Sequence, residues 1–530
     1  MQTEYIPFKK TGYFTSLITD YLAEDPKIEP FYNRFPKLNS FKVQIEETKK
    51  VFPESHRSVL AEVLKEQYAN SEMSEKTKTN IAALKNSNTF TITTGHQLNL
   101  FTGPLYFLYK IISTINLTKT LKEHYPDYHF VPMYWMATED HDFDEINYFN
   151  FKGGKMRWSK ETNGAVGELD TSGLDSVFNV ISEAFGDSFV AQDLKKLFEA
   201  SYLKHDNLAD ATRYLANALF KEAGLVIIDA NDRDLKQLFS PYVRMELLEQ
   251  CSHKKVTETN AELEKHYGLQ VNPRAINLFY LNANLRERIV FENEVYKVLN
   301  TDIIWSEAEV LKELEQHPER FSPNVIMRPL YQEVILPNLC YIGGGGELAY
   351  WFQLKGFFEH VQVPYPILLL RNSVLIQTKK QKEKLEKLGV TTEALFQDQD
   401  VLINKKVEEL SEIDIDFTPQ KDYLKQQFKD LYTLAEQTDK SFIGAVKAQE
   451  VKQINGLEKL EKRLLRAQKR KLSDHVERLT RLQNELFPQR GLQERNTNFS
   501  EFYLEYGDTL IPSLLECLDP FCGEFLILTL

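Results

Sequence analysis

The chain has 530 residues, 42% of them hydrophobic and 12% aromatic, with 22 Gly and 20 Pro. That is globular composition in more than one domain, and it excludes a collagenous, low-complexity or wholly disordered polymer. A balance of 64 Lys and Arg against 77 Asp and Glu gives a net charge of −13, which argues against a general nucleic-acid coat or a membrane-surface binder and still leaves room for a locally basic pocket. Cys251, Cys340, Cys517 and Cys522 are too few and too scattered for a disulfide framework. The N-terminus lacks a cationic-then-apolar leader, and no run reaches about 18 apolar residues. The expected address is the cytoplasm, with no membrane span.

Residues 1–88 are polar and mostly helical in pattern. Phe14, Leu17, Ile18 and Tyr21 fall at helical spacing, Pro26, Pro30 and Pro36 then break the chain, and a second helical stretch covers about 55–84. The spacing predicts an arm packed on a core. Character changes at Thr89: TFTITT reads as a strand, GHQLNLFTGP as a turn, the stretch from about Pro104 as a helix and FVPMYWMA as a buried strand. Strand–turn–helix–strand is the unit of a parallel α/β sheet, so 89–149 reads as the first half of the core. Residues 150–220 lose the alternation and read as an insertion. The second half of the core, 221–375, contains LVIIDA (225–230), PNVIMRPL (323–330), EVILPNLCYI (333–342) and PYPILLLRNS (364–373) as strands. Within it, NLFYL (277–281) belongs to a further insertion near 270–320. The glycine run opens a helix over 343–360. Residues 376–490 are rich in Lys, Glu, Gln, Leu and Arg and predict an α-helical coiled coil: Leu465, Leu472, Leu479 and Leu486 recur every seven residues, Val476 and Leu482 fill in, and Gln468 and Lys469 weaken the seam. From 447 to 481 there are eleven Lys or Arg against five Asp or Glu, a solvated helix face or a basic rim. The mixed apolar segment 491–530 is expected to dock back on the core.

Several clusters carry chemistry. His96 and Gln97, with Asn99, Thr102 and Gly103, occupy the turn between a strand and a helix. Free N–H groups and the helix dipole favour carboxylates and phosphates there, and a histidine can donate to a developing anion or shuttle a proton. An ordinary βα turn is the bland alternative. Glu139, Asp140, His141 and Asp142, followed by Asp144 and Glu145, come just after a buried strand, in the crevice where open α/β sheets bind ligands. Acid–base work, recognition of an amine, metal ligation and simple complementarity to a helix dipole all fit; the spacing is not specific for metal, and none is expected. Gly343, Gly344, Gly345 and Gly346 precede Glu347, Tyr350 and Trp351. Four glycines are entropically costly unless the backbone wraps an anion or approaches a substrate. The run is neither a Walker nor a dinucleotide fingerprint, and a flexible connector is its alternative. Glu347 is a candidate polar contact, and Tyr350 and Trp351 are placed to close a pocket. Arg328 and Arg371, read as lying at strand ends, are candidate carboxylate binders.

TTGHQLNLFTGPLY, WMATEDHDFDEIN, SPNVIMRPLYQEVILP with YIGGGGELAYWFQLK, and PILLLRNS, in this order and spacing, resemble the bacillithiol biosynthesis cysteine-adding enzyme family. The likeness covers essentially the whole chain, including the opening DYLAEDPKIEPFYNRFP. That family in turn resembles class I aminoacyl-tRNA synthetases of the cysteinyl type. The resemblance implies an α/β fold with a Rossmann-like core, connecting insertions and a coiled coil used for homodimerisation. It implies a ligase whose partners are L-cysteine and glucosaminyl-malate, joined through the glucosamine amino group. His96 and Gln97 stand where a synthetase's histidine signature lies, Glu139 to Asp142 match the acidic run, and Gly343 to Glu347 match the glycine-rich loop. On this reading His96 stabilises developing negative charge, Asp140 or Asp142 binds or deprotonates the amine, and Arg328 or Arg371 holds the malate carboxylates. Gln97, Asn99, Thr102, Gly103, Glu139, His141, Glu347, Tyr350 and Trp351 are further substrate contacts, and Gly343 to Gly346 contact a cofactor. Amide formation from a free carboxylate is uphill, so a nucleotide, ATP or ADP, is the natural activator; the sequence does not establish it. Three departures stand out. VLIQTKKQ replaces the lysine–serine loop that contacts ATP in synthetases, no Cys/His cluster offers a thiol-sensing zinc site, and the glycine run lacks the family's usual proline. The rival reading is a non-catalytic, synthetase-like dimer that binds a nucleotide or metabolite and acts through its coiled coil. A metal-dependent sugar hydrolase is the remotest alternative.

Overall fold

In a computed structural model that describes residues 1–438 and 440–530, the chain opens with a strand, β1 (Gln2–Pro7), before the helices of the N-terminal arm. The buried Arg57 clamps that arm to the core by donating to the Leu84 and Thr89 carbonyls at 3.3 and 2.7 Å. The core then builds through β2 (Thr89–His96), α1 (Tyr106–His124), β3 (His129–Met136), β4 (Val226–Asp229), α2 (Met327–Ile335), β5 (Asn338–Gly343), α3 (Gly345–Gln353) and β6 (Ile367–Leu370). The strands are all parallel in the order β4-β3-β2-β5-β6. Their β-branched and aromatic residues are buried on both faces, as a parallel sheet covered by helices requires. Helix α1 is buried at every residue from Phe107 to Thr118, so its apolar pattern runs all round. Its polar side chains bond inward: Ser113 donates to Asn372 Oδ1 at 2.8 Å, and Asn116 to the Leu515 and Leu518 carbonyls.

This strand order is the Rossmann order, with β2 and β5 side by side at the centre. The chain leaves β2 towards β3 on one side and leaves β5 towards β6 on the other. The crevice above their carboxyl ends is therefore the topological switch point.

The stretch after β3 forms a hairpin (Tyr148–Phe151 with Gly154–Arg157) followed by helices. The stretch before α2 forms a separate antiparallel sheet of five strands, among them Leu278–Asn282, Leu285–Glu292 and Phe321–Pro323. PNVIMRPL is not a strand: only Phe321–Pro323 is extended, and α2 begins at Met327, with Pro329 in its first turn. The α2 residues Met327, Leu330, Tyr331, Val334 and Ile335 are all buried, and a buried helix can give the same short apolar run as a two-sided strand. EVILPNLCYI is likewise half helix, and β5 starts only at Asn338.

After the core come β7 (Val374–Gln377), α4 (Thr418–Ala435), α5 (Lys440–Lys471), α6 (Ser473–Leu486) and β8 (Glu524–Thr529). Strand β8 pairs antiparallel with β1 and parallel with β7, so the two chain ends share one small sheet. Helices α4 and α5 pack antiparallel, with Phe428, Ala435 and Val446 buried between them and Lys421 paired with Glu461 at 2.7 Å. The leucine heptad is not one continuous seam. The helix breaks at Leu472 (φ −103°, ψ 26°). Leu479 and Leu486 are buried within the same chain, and Leu465 and Leu472 pack against the main core. Among the described residues, no helix is long and apolar enough to cross a membrane.

Candidate active site at the switch point

A cleft of about 660 Å³ opens above the carboxyl ends of β2, β3, β5 and β6, within the usual range for small-molecule sites. It gathers His96 and Gln97 from the end of β2, Asp140 from beyond β3, and Arg328 from the first turn of α2. Gly344, Gly346, Glu347, Tyr350 and Trp351 from the α3 turn and Arg371 from beyond β6 complete this set. Sequence segments up to 400 positions apart, from Gly95 to Arg495, thus meet at one site.

Glu347 is the hub of one wall. It accepts from Tyr341 Oη at 2.7 Å and from the Gly344 N–H at 2.8 Å, and it pairs with Lys110 Nζ at 2.7 Å. Lys110, almost fully buried in α1, also donates to the Gly95 carbonyl. The glycine run works through size rather than through unusual dihedrals, since none of its four residues takes a positive φ. A Cβ on Gly343 would lie 2.9 Å from Leu348 and Tyr341 side-chain atoms, and one on Gly345 would lie 3.2 Å from Ile18. Gly344 and Gly346 are the two that face the cleft. The Gly344 amide is already engaged by the chain's own carboxylate, so the turn is not an empty phosphate nest.

The His96 imidazole is buried, with Tyr106 and Phe107 rings packed at 5.4 and 5.1 Å, and its Nε2 has no hydrogen-bond partner. Burial, reinforced by the charges of Lys110 and Arg371, pushes its pKa well below the ordinary histidine value. The ring is neutral and holds an unspent polar atom. Asp140 behaves oppositely. Burial alone would raise its pKa, but hydrogen bonding from His141 and the charges of Arg328 and Arg286 outweigh that and hold the carboxylate ionised. Gln97 Nε2 donates to it at 3.3 Å. Such a carboxylate is a weak base and a strong anchor for a cation.

The two predicted arginines differ. Arg371 is buried against Glu494 in a two-pronged pair (Nη1–Oε2 3.0 Å, Nη2–Oε1 2.8 Å), leaving Nε without a partner. Arg328 makes no side-chain hydrogen bond or ion pair among the described residues and stands open to the cleft. Arg495, from the short helix Gln493–Asn496, also lines the cleft, its guanidinium 5.8 Å from the Tyr106 ring centroid, with Arg371 5.0 Å from the same centroid.

Other predicted residues lie outside the cleft. Asn99, Thr102 and Gly103 shape the turn below it: Phe101 and Thr102 are left-handed (φ 48° and 69°), and Gly103 must be glycine, because a Cβ there would sit 2.6 Å from Asn99 Cβ. Asn498 fixes this bend by donating to the Phe101 and Gly103 carbonyls at 2.7 and 2.6 Å. Glu139 points away and forms a buried pair with Lys236 at 2.5 Å. His141 accepts from Arg286 Nη1 at 2.6 Å at the rim, and Asp142 is exposed. Gly343 and Gly345 are packed behind the wall. The sequence reading missed Lys110, Glu494, Arg495 and Arg286. Only Lys110 left a signal, as a lone cation inside an apolar helix. Among the described residues, no group of three or more His, Cys, Asp or Glu is placed to hold a metal ion, and no cysteine lines the cleft.

Residues 1–372 match the bacillithiol biosynthesis BshC N-terminal Rossmann-like domain, and residues 374–530 match the BshC C-terminal coiled-coil domain. The chain belongs to the BshC family. The motif order had pointed to this family. Relatives named "Putative cysteine ligase BshC" include proteins of Flavobacterium johnsoniae, 60% identical over 100% of both chains, and Christiangramia forsetii, 58% identical over 100% of this chain and 99% of the relative. The Cytophaga hutchinsonii protein of the same name is 38% identical over 98% of this chain and 97% of its own. The BshC match divides the chain beside Ser373, where the Rossmann-like sheet ends and the terminal sheet begins.

Proposed function

We propose that this chain is a cytoplasmic C–N ligase of bacillithiol biosynthesis, joining the carboxyl of L-cysteine to the amino group of glucosaminyl-malate. The observation that carries this reading is the meeting of His96, Asp140, Arg328 and the Gly344 turn in one cleft at the switch point. Asp140, ionised and hydrogen-bonded, anchors the acceptor as its ammonium, which must first lose one proton to solvent before its nitrogen can attack. Arg328 and Arg495, which make no side-chain ion pair among the described residues, bind the malate carboxylates; Arg371 is spent on Glu494 and contributes only its Nε–H. His96, neutral and unpartnered at Nε2, takes the proton as the amine attacks or, as the Nε2–H tautomer, donates to the developing oxyanion. A nucleotide cosubstrate is proposed as activator of the cysteine carboxyl. Because Glu347 fills the Gly344 amide, no step is assigned to that nucleotide at the glycine turn. The protein is proposed to act as a homodimer joined through α4 and α5, whose outer surface exposes Tyr423, Leu434 and Leu460.

The test is reconstitution: purified protein with L-cysteine, glucosaminyl-malate and ATP, with the amide product followed by mass. Loss of a proton-transfer group costs about 10²-fold or more, so His96→Ala should lower kcat by at least that factor. Asp140→Asn should raise KM for the acceptor. Folded variants of both that form product at the wild-type rate would refute the site assignment. In cells, deletion of the gene should abolish bacillithiol and accumulate glucosaminyl-malate; an intact thiol pool would refute the assigned activity.

A further inference from the structure

Lys110 sits in the second turn of α1, 3% exposed, within a stretch where every residue is buried. A buried ammonium must be paired, and this one is paired across two loops. It donates to the Gly95 carbonyl, one residue before His96. It also reaches Oε1 of Glu347 at 2.8 Å and Oε2 at 2.7 Å. Glu347 in turn holds the Gly344 N–H and the Tyr341 hydroxyl.

The position of this link matters. The paired residues of β2 and β5 end at Thr93↔Tyr341, and the last side-chain tie between the two strands at that level is Thr94 Oγ1 to the Ile342 carbonyl at 2.7 Å. Beyond it the strands part, because one feeds the histidine turn and the other the glycine turn. The Lys110–Glu347 pair spans the gap that the sheet no longer closes.

We infer that Lys110 is a positioning residue: a single charged brace that sets the histidine turn against the glycine turn and so fixes the His96 ring in the cleft. It acts on His96 twice. The Gly95 carbonyl ties down the backbone that carries the ring. The positive charge also helps hold the ring neutral, together with Arg371 from the end of β6. Tyr106, one turn earlier on α1, packs edge-on against the imidazole. Glu347 and Glu494 stand behind the two cations as their counter-charges. The activity arm of this inference rests on the proposed ligase reading; the structural arm does not.

The experiment uses the full chain with Lys110→Met, Lys110→Arg and the double variant Lys110→Met/Glu347→Gln, which removes both charges and leaves no unpaired buried ion. Misplacing a catalytic group by about 1 Å costs on the order of 10²-fold, so Lys110→Met is expected to lower kcat at least about tenfold, with the KM of both substrates within about threefold. The double variant should lose about as much as the single one, because the two groups act through one link. In protein carrying 15N-labelled histidine, the His96 imidazole should titrate at higher pH in Lys110→Met than in wild type. Lys110→Arg, which keeps the charge, should keep the low midpoint. A folded double variant with wild-type kcat and an unmoved His96 titration overturns the inference, even if Lys110→Met alone fails to fold. If the wild-type protein forms no product, the ligase reading fails, and the imidazole titration still decides the brace.

Discussion

Replacing Glu494 tests whether the C-terminal segment is a structural part of the cleft. Arg371 and Glu494 are 3% and 1% exposed and joined by two charge-assisted bonds of 3.0 and 2.8 Å. Glu494 also accepts from the Val374 N–H at 3.2 Å and Ser373 Oγ at 3.3 Å. Glu494→Ala leaves the Arg371 guanidinium buried without a counter-charge, for which the cost is about 3–5 kcal/mol, plus about 1 kcal/mol for the orphaned Val374 amide. The apolar pair Arg371→Met/Glu494→Leu removes both charges together and should cost far less than the single change. Burying an apolar pair of similar volume in place of an ion pair is often neutral. Urea unfolding followed by tryptophan fluorescence provides the measurement, since Trp135 and Trp351 both line the cleft. The refuting results are a Glu494→Ala variant destabilised by less than about 1 kcal/mol, or a double variant that costs the sum of the two single changes.

The cleft's free cations give a binding prediction: Arg328→Ala and Arg495→Ala should each raise KM for glucosaminyl-malate while leaving KM for cysteine nearly unchanged, and the effect should vanish with an acceptor whose malate is replaced by a neutral alkyl group. The low pKa of His96 means that the unfolded chain binds a proton below about pH 6.5 that the folded one refuses. Wild-type stability should therefore fall more steeply from pH 6.5 downward than that of His96→Asn, by up to about 1.4 kcal/mol per pH unit. Glu333, buried and hydrogen-bonded by Gln332 and Asn338 but by no cation, has its pKa pushed up from 4.5 to about 8. It is neutral in the fold and ionised in the unfolded chain between those values, so stability drains away as pH rises through that window. Glu333→Gln should flatten the fall of the urea midpoint between pH 5 and pH 8. In the glycine run, Gly343→Ala forces a methyl to within 2.9 Å of Leu348 and Tyr341 and should cost about 1–3 kcal/mol. Gly346→Ala, with nothing within 4 Å, should leave the urea midpoint unchanged.

The parallel strands were legible because two-sided burial writes itself as short runs such as TFTITT and FVPMYWMA bounded by turn residues. The same signature misled at 323–330, where α2 is buried at all of its residues but Arg328 and a buried helix gives the same apolar run as a buried strand. The heptad at Leu465 to Leu486 was real as a spacing and wrong as a continuous seam, because its leucines face other helices of the same chain across a break at Leu472. At the site, each loop and many of its cleft-lining side chains were legible, but not which neighbours turn away. Neighbours such as Asp140 and Glu139 diverge by one residue, one into the cleft and one onto Lys236. Asn99, Thr102 and Gly103 looked like ligand contacts because they sit beside His96 in sequence, yet their left-handed bend turns them underneath it. Glu494 lies 123 positions from Arg371, and no local pattern links the two.

The charges of the cleft bear on the proposed acceptor, which is both cationic and anionic. Lys110 cancels Glu347, and Arg371 cancels Glu494; both pairs are inward-facing and serve the wall. What remains at the opening is two carboxylates, Asp140 and Glu145, and two guanidinium groups, Arg328 and Arg495. On the proposed reading, the carboxylates would face the acceptor's ammonium and the guanidinium groups its carboxylates. The neutral imidazole of His96 sits among these fixed charges as the group free to exchange a proton, because burial beside Lys110 and Arg371 denies it a charge of its own. Burial first, and the charges of Lys110 and Arg371 second, keep the histidine neutral, the state from which the proposed proton transfer would start.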